Sequence, residues 1–304
     1  MKRSTDQKLV TYHFENLSLT SLSHAVFTRL GGVSRGPFAS LNVGRSVGDD
    51  QAAVAENHAR IYTQLGLSAK RVATASQVHS NRIAVVTASD GGRIFANTDG
   101  LVTNQTGVAL MLRFADCQPI LLYDPVHHAL GLVHAGWRGV AQGIARRAVE
   151  TMQHTFGSRP EELIVGLGPA IGVCCYTVGH EVAAVMGYAL PDWNQVLIPE
   201  GDDHWRFDLS AANAQQLTAA GVQQIEQARL CTGCHRDEFF SHRADSGRTG
   251  RFAVVAFLQD SITPPRDTTS RRSAETPRAE TTMGITSLDP PGLPSFEELL
   301  RSST

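Results

Sequence analysis

VALMLRFADCQPILLYDPVHHALGLVHA, residues 108–135, holds the stretch that decides the fold. Three apolar runs lie in it: Val108–Phe114, Ile120–Tyr123 and Ala129–His134. Each has strand length, and polar breaks at Ala115–Pro119 and Asp124–His128 separate them. Working outward, His24–Arg29 reads as a strand running into a turn at Gly31-Gly32. Asp49–Leu65 reads as a helix capped by Asp49 or Asp50. Arg71–Ser76 and Arg82–Thr87 read as strands bracketing Gln77–Ser80. Downstream, Gly139–Phe156 has helical spacing, with Val140, Ile144, Ala148 and Met152 on one stripe. Leu163–Leu167 is strand-like and ends in Gly168-Pro169. Helices are expected after Gly179 and at Asp208–Ser210, where Asp208 or Ser210 offers a cap, and Phe252–Leu258 closes the core as a strand. Such a mixture, without regular strand–helix–strand alternation, predicts α+β or α/β layers.

The chain has 304 residues, 42% hydrophobic and 18% charged, which is globular composition with room for one large domain or two smaller ones. We expect a single domain over residues 1–260, its elements beginning near residue 20, and then a tail over 261–304. That tail is rich in Pro, Ser, Thr and charge, so it is expected to be disordered; Leu293–Leu300 could form a short amphipathic turn, with a solvated end preferred over a docking motif. A formal net charge of -2 favours neither nucleic acid nor an anionic membrane as partner. No apolar run approaches the roughly 20 residues that span a bilayer. The start, MKRSTDQKLVTYHFENLSL, lacks the apolar core of a secretory signal, so a cytoplasmic location is expected. The five cysteines are then expected as reduced thiols.

Three segments carry candidate chemistry: Gln77-Val78-His79, Ala115–Pro119 and His134–Gly139. Each places a His or Cys at or just past a predicted strand end, where rigid elements hand side chains to a cleft. Two imidazoles and a thiolate, His79, Cys117 and His134, are a borderline-soft set suited to zinc or copper. Three ligands leave one tetrahedral position open, as in catalytic sites, and water there becomes acidic. Spacing alone is weak support for such a site, because lone Cys and His residues usually pack or face solvent.

A resemblance strengthens it. FTRLGGVSRGPFASLNVG (Phe27–Gly44), QVHS, DGLVTN (Asp99–Asn104), FADCQPILLYDP (Phe114–Pro125), HAGWRG, GLGPAIGVCCYTVG (Gly166–Gly179) and CTGC with FFSHRADSGRTGR occur in this order over about residues 24–258. They resemble the laccase-domain, or YfiH-like multicopper polyphenol oxidase, family. The resemblance implies an α/β/β/α layered sandwich, also similar to certain cysteine-hydrolase toxins. It implies zinc at His79, Cys117 and His134. It also implies two possible activities. One is copper-dependent oxidation of phenols. The other is phosphorolysis of purine nucleosides, with adenosine deamination and cleavage of methylthioadenosine alongside.

The residues help to choose. A multicopper oxidase needs roughly ten His ligands in His-x-His pairs, and no His-x-His occurs among the 12 histidines. One copper on a His2Cys set stays open as the alternative, as does a partner-binding protein with a structural metal. For deamination, Asp116 is the first candidate proton shuttle, beside the reading that it merely caps a strand end. For phosphate, Arg29, Arg138 and Arg243 lie within the family-like motifs, against the plainer reading of structural ion pairs. Asn42 is read as substrate-binding or as a turn cap, and Trp137 as a purine stacker or a core aromatic. His242 stands where such proteins commonly carry Tyr, which changes that rim. The CxxC at Cys231 and Cys234 offers half of a zinc site or a redox pair; because the other half would be Cys174-Cys175, whose adjacency is poor for tetrahedral chelation, structural thiols are the preferred reading. The glycines of GLGPAIG are expected in a tight turn approaching the cleft, since the P-loop lysine is missing.

Overall fold

Strands that are apolar on both faces need cover on both faces. Gln118–Asp124 and Ala129–Ala135 are buried along their whole lengths, and Ala109–Phe114 is buried at every position but Arg113. In the computed structural model, which describes residues 1–6, 9–18 and 20–259, that need is met by four layers.

The first sheet has seven strands, in the spatial order 2–6, 9–13, 22–27, 252–258, 109–114, 72–75 and 94–95. The second has six, in the order 224–227, 164–167, 118–124, 129–135, 100–103 and 83–85. Alternate side chains explain how the sheets stack. Leu110, Leu112 and Phe114 meet Leu121, Tyr123, Leu130 and Leu132 in a core between the sheets. Ala109, Met111, Ala253 and Val255 point the other way, against Ile61 of helix α1 (Gln51–Gln64). Ile120, Leu122, Val133 and Val165 face Ile144, Ala148, Val149 and Met152 of a helix on the opposite side. The result is the expected α/β/β/α sandwich. A small three-stranded sheet, 177–179, 204–207 and 197–199, flanks it.

Asp50 caps α1 by accepting from the Ala52 amide. The segment expected as one helix over 139–156 is two: α2 (Trp137–Ala141) and α3 (Ile144–Phe156). Gly143, at φ 73°, turns the chain between them, a conformation that favours glycine. This break lets α2 start at the site while α3 packs on the sheet. Helices α4 (His180–Ala189) and α5 (Leu209–Ala219) start where expected, and Asp208 caps α5 by accepting from the Ala211 amide. Folding begins earlier than the sequence suggested. Lys2–Asp6 and Leu9–His13 form a hairpin on the first sheet, pairing Lys2 with His13 through Asp6 with Leu9. The expected tail lies outside the described residues. Among those described, no helix is long and apolar enough to cross a membrane.

Gly166 and Gly168, the first two glycines of GLGPAIG, make room for side chains. A Cβ on Gly166 would sit 2.7 Å from the ring of fully buried Phe14, and one on Gly168 would sit 3.0 Å from Pro119. We expect Gly166→Ala to destabilise the protein by about 1–3 kcal/mol, as overpacking does. Urea unfolding of the pair of proteins measures it; an unchanged midpoint would show that Phe14 has somewhere to go.

A candidate metal centre in an arginine-lined cleft

Cys117 follows the strand Ala109–Phe114, and His134 ends the strand Ala129–Ala135. His79 sits in the loop after Val72–Ala75. Although far apart in sequence, the three donor atoms lie within 4.8 Å of one another. The rings of His79 and His134 are 5.0 Å apart at 63°. A Cβ on Gly136 would lie 2.8 Å from the Cys117 sulfur and 3.0 Å from His79 Cδ2, so the close approach requires glycine there.

Asp99 organises this cluster. It is fully buried, just before the strand Gly100–Thr103. Its Oδ1 accepts from the His79 amide at 3.0 Å and pairs with His134 Nδ1 at 3.0 Å. Its Oδ2 accepts from the amides of Val78 and Ser80 and from the Ser80 hydroxyl. These donors matter because a buried carboxylate without partners costs several kcal/mol. They also hold His79 in the left-handed region, at φ 62°. With Nδ1 on Asp99, His134 keeps Nε2 for a metal, the arrangement that fixes tautomer and ring direction in metal sites.

The electrostatics agree. Burial alone would push Asp99 up, but the His134 hydrogen bond and charge, together with Ser80, hold it near 2. Burial would likewise raise Cys117, yet the charges and hydrogen bonds of His134 and His79 bring its thiol down to about 6. His134, against the effect of burial, is lifted to about 9 by Cys117 and Asp99. Both directions favour thiolate on Cys117 and a proton on His134, and a cation bound by His134 would compete with that proton. Donor type, donor spacing and a second partner for His134 all fit a soft divalent ion with one position open.

The three residues open into a cleft of about 690 Å³. Five arginines line it, Arg45, Arg113, Arg138, Arg243 and Arg251, while Asp116 is the single carboxylate among the described lining residues. Burial and repulsion from Arg45 and Arg251 push the Arg113 guanidinium below its ordinary value. Arg45, Arg113 and Arg251 were not anticipated: nothing local marks the first two, and Arg251, the last residue of FFSHRADSGRTGR, was not singled out. Their common signal is spatial.

The other candidates divide. Arg138 and Arg243 lie on the cleft, over the rings of Trp137 at 4.4 Å and Tyr176 at 5.0 Å. Trp137 is itself a lining residue, and so is His242. Asp116 lines the cleft, but both its oxygens are engaged, by the Thr232 hydroxyl at 2.6 Å and the Arg243 amide at 2.6 Å. Arg29 and Asn42 lie off it. Arg29 donates to the carbonyls of Ala39 and Arg236 and stacks on Phe240. Asn42 is fully buried; its Oδ1 accepts from the amides of Gly44 and Arg251 and its Nδ2 donates to Asp49. Asn42 thus braces the wall that carries Arg251, the turn-capping alternative.

Asp99→Asn should lower stability by about 2–4 kcal/mol at pH 7, since it removes a buried charge shared by five donors. A carboxylate held low in the fold contributes above its unfolded value near 4 and loses that contribution as pH falls through about 2. The gap between the two proteins should accordingly close between these pH values in urea titrations. A gap that persists at the acid end would place the effect elsewhere.

Comparison with known proteins fits this geometry. Residues 23–259 match the family model described as multi-copper polyphenol oxidoreductase laccase. A Geobacillus stearothermophilus protein named purine nucleoside phosphorylase YlmD is 43% identical over 248 residues, covering 76% of this chain and 87% of its own. A purine nucleoside phosphorylase of Deinococcus radiodurans is 42% identical over 240 residues, covering 78% and 90%. The crystal structure of YlmD from Geobacillus stearothermophilus superposes with a TM-score of 0.81 at 37% identity, covering 84% of this chain and 98% of that one. Bacillus licheniformis YfiH gives 0.79 at 35% identity, covering 84% and 97%. The sandwich, the motifs and these matches together place the chain in the multi-copper polyphenol oxidoreductase laccase family, the YfiH-like proteins.

Proposed function

We propose that this cleft cleaves purine nucleosides with phosphate, yielding the free base and ribose 1-phosphate from adenosine, inosine and methylthioadenosine, and that it also deaminates adenosine. The observation that carries the reading is the field of five arginines around the His2Cys cluster. The relatives named purine nucleoside phosphorylase support it.

Phosphorolysis needs a phosphate oxygen beside C1′ of the ribose while the bond to the purine breaks. Guanidinium groups bind phosphate in bidentate fashion, and a cleft with one carboxylate against five of them holds a dianion. Arg138 and Arg243, each lying on an aromatic ring, are the proposed phosphate and ribose contacts, with Trp137 and Tyr176 as apolar flanks for the base. We assign zinc to His79, Cys117 and His134. When bound, it supplies Lewis acidity toward a substrate oxygen or a water. Asp116 is the proposed proton carrier, since each oxygen keeps a second lone pair beside its Thr232 or Arg243 donor. The reaction belongs in the cytoplasm, which suits five unpaired cysteines.

A copper-dependent phenol oxidase is the contrasting activity. Three imidazoles line the cleft among the described residues, His79, His134 and His242, too few for a cluster of several coppers. The test is direct. Zinc-loaded protein incubated with adenosine and phosphate should release adenine and ribose 1-phosphate. Turnover of phenols alone, with copper and a thiolate-to-copper visible band, would overturn the proposal.

Two variants sharpen it. Cys117→Ala should abolish turnover and leave the circular dichroism spectrum intact; retained activity with zinc still bound would remove Cys117 from the centre. Arg243→Gln loses a charged hydrogen bond worth about 1.5–3 kcal/mol, which is roughly a 10- to 150-fold rise in KM for phosphate. Initial rates at varied phosphate read it, and an unchanged KM would exclude this arginine as a contact.

A further inference from the structure

The four remaining cysteines are not scattered thiols. The sulfurs of Cys174, Cys175, Cys231 and Cys234 all lie within 4.8 Å of one another. Cys234 is 3.5 Å from both Cys174 and Cys175. None of the four is in a disulfide, and none lines the cleft. Adjacent cysteines on a strand would point to opposite faces. Here, however, they lie in a turn, closed by the Cys175 amide donating to the Gly172 carbonyl at 2.9 Å, and both thiols reach one point. The obstacle that the sequence presented, the adjacency of Cys174 and Cys175, is thus removed by local geometry.

We propose that these four thiolates bind a second, structural zinc ion, separate from the cleft and independent of the activity assigned to it. Zinc–sulfur bonds of about 2.3 Å in a tetrahedron put sulfurs about 3.8 Å apart, and 3.5 to 4.8 Å brackets that spacing. The surroundings are shaped for it. The Gly172 amide donates to the Cys231 sulfur at 3.2 Å, as amides do toward metal-bound thiolates. A Cβ on Gly172 would come 3.3 Å from the Cys174 and Cys231 sulfurs, and one on Gly233 would come 3.1 Å from that of Cys175. Glycine at both positions keeps the cradle clear. Cys174 and Cys234 are exposed, so an ion reaches the site from solvent.

What the ion joins explains its use. One half of the site lies between Ile171 and Tyr176, which both line the cleft. The other half holds Thr232, whose hydroxyl binds the Asp116 carboxylate and whose amide binds the Ala170 carbonyl. The Ile171 amide binds the Asp116 carbonyl at 2.9 Å. A tetrathiolate ion would therefore staple together the two segments that hold Asp116 in place.

Metal content separates this site from the first. The full chain carrying His79→Ala, Cys117→Ala and His134→Ala should keep one equivalent of zinc after purification in reductant. Replacing that zinc with cobalt should give the intense visible bands and near-ultraviolet charge transfer of a four-sulfur tetrahedral site. In the otherwise native chain, Cys174→Ser with Cys234→Ser should lose one equivalent. If that variant does not fold, the cobalt spectrum of the triple variant decides alone. A triple variant that takes up no ion overturns the proposal. So does an unreduced mass lighter by the hydrogens of one or two disulfides, or iron with the absorption of an iron–sulfur cluster. None of these outcomes depends on whether nucleosides are substrates.

Discussion

A buried carboxylate with five donors is the constraint on which the site depends. Asp99 stands at the head of the strand next to the edge of the second sheet, and its own carbonyl also accepts the His134 amide at 2.7 Å. One residue thus fixes the backbone and the ring of His134 together, and through Oδ1 and Oδ2 it draws in the loop Val78–Ser80. Because dehydrating its charge is costly, the donors cannot drift without leaving it unpaired. Two ligands of the cluster are consequently placed by one anion. The third, Cys117, needs only the glycine at position 136 to come close.

How much of this could be read in the chain depends on range. The runs at 109–114, 118–124 and 129–135 announced strands because burial on both faces leaves a continuous apolar text. Caps at Asp50 and Asp208 were legible because a cap acts within three residues. Gly143 was not read as a break, since one glycine within a helical stripe is a weak signal beside four aligned apolar positions. Lys2–Asp6 was missed for another reason. It is exposed along its whole length, and pairing with Leu9–His13 alone makes it a strand. The metal trio was legible as chemistry but not as geometry; only the family-like motifs joined its members. Arg45 and Arg113 left no local trace, Arg251 ended a family-like motif without being singled out, and Asn42 and Arg29, prominent in those motifs, hold backbone.

The contrast between the whole chain and its cleft bears on function. A net charge of -2 gives no hint of an anionic substrate. The cleft gathers five guanidiniums; Arg113, Arg138 and Arg251 are half-buried and so less screened than surface charges, while Arg45 and Arg243 are exposed. Oxidation of neutral phenols has no use for that arrangement. A bound anion such as phosphate would relieve the mutual repulsion around Arg113. The thiolate form of Cys117 is favoured separately, by the charges and hydrogen bonds of His134 and His79.

Asp116 joins the two halves of the argument. Its φ of 82° is unusual for a residue with a side chain, and strain of that kind persists only where surroundings enforce it. Here they do so from three sides: Thr232 on one oxygen, the Arg243 amide on the other, and Ile171 on the carbonyl. Two of those three partners belong to segments carrying the clustered cysteines. A carboxylate on the cleft wall gains a fixed position from segments that cannot move independently. The position of Asp116 beside Cys117 is then set by long-range fastening rather than by the short turn that contains it.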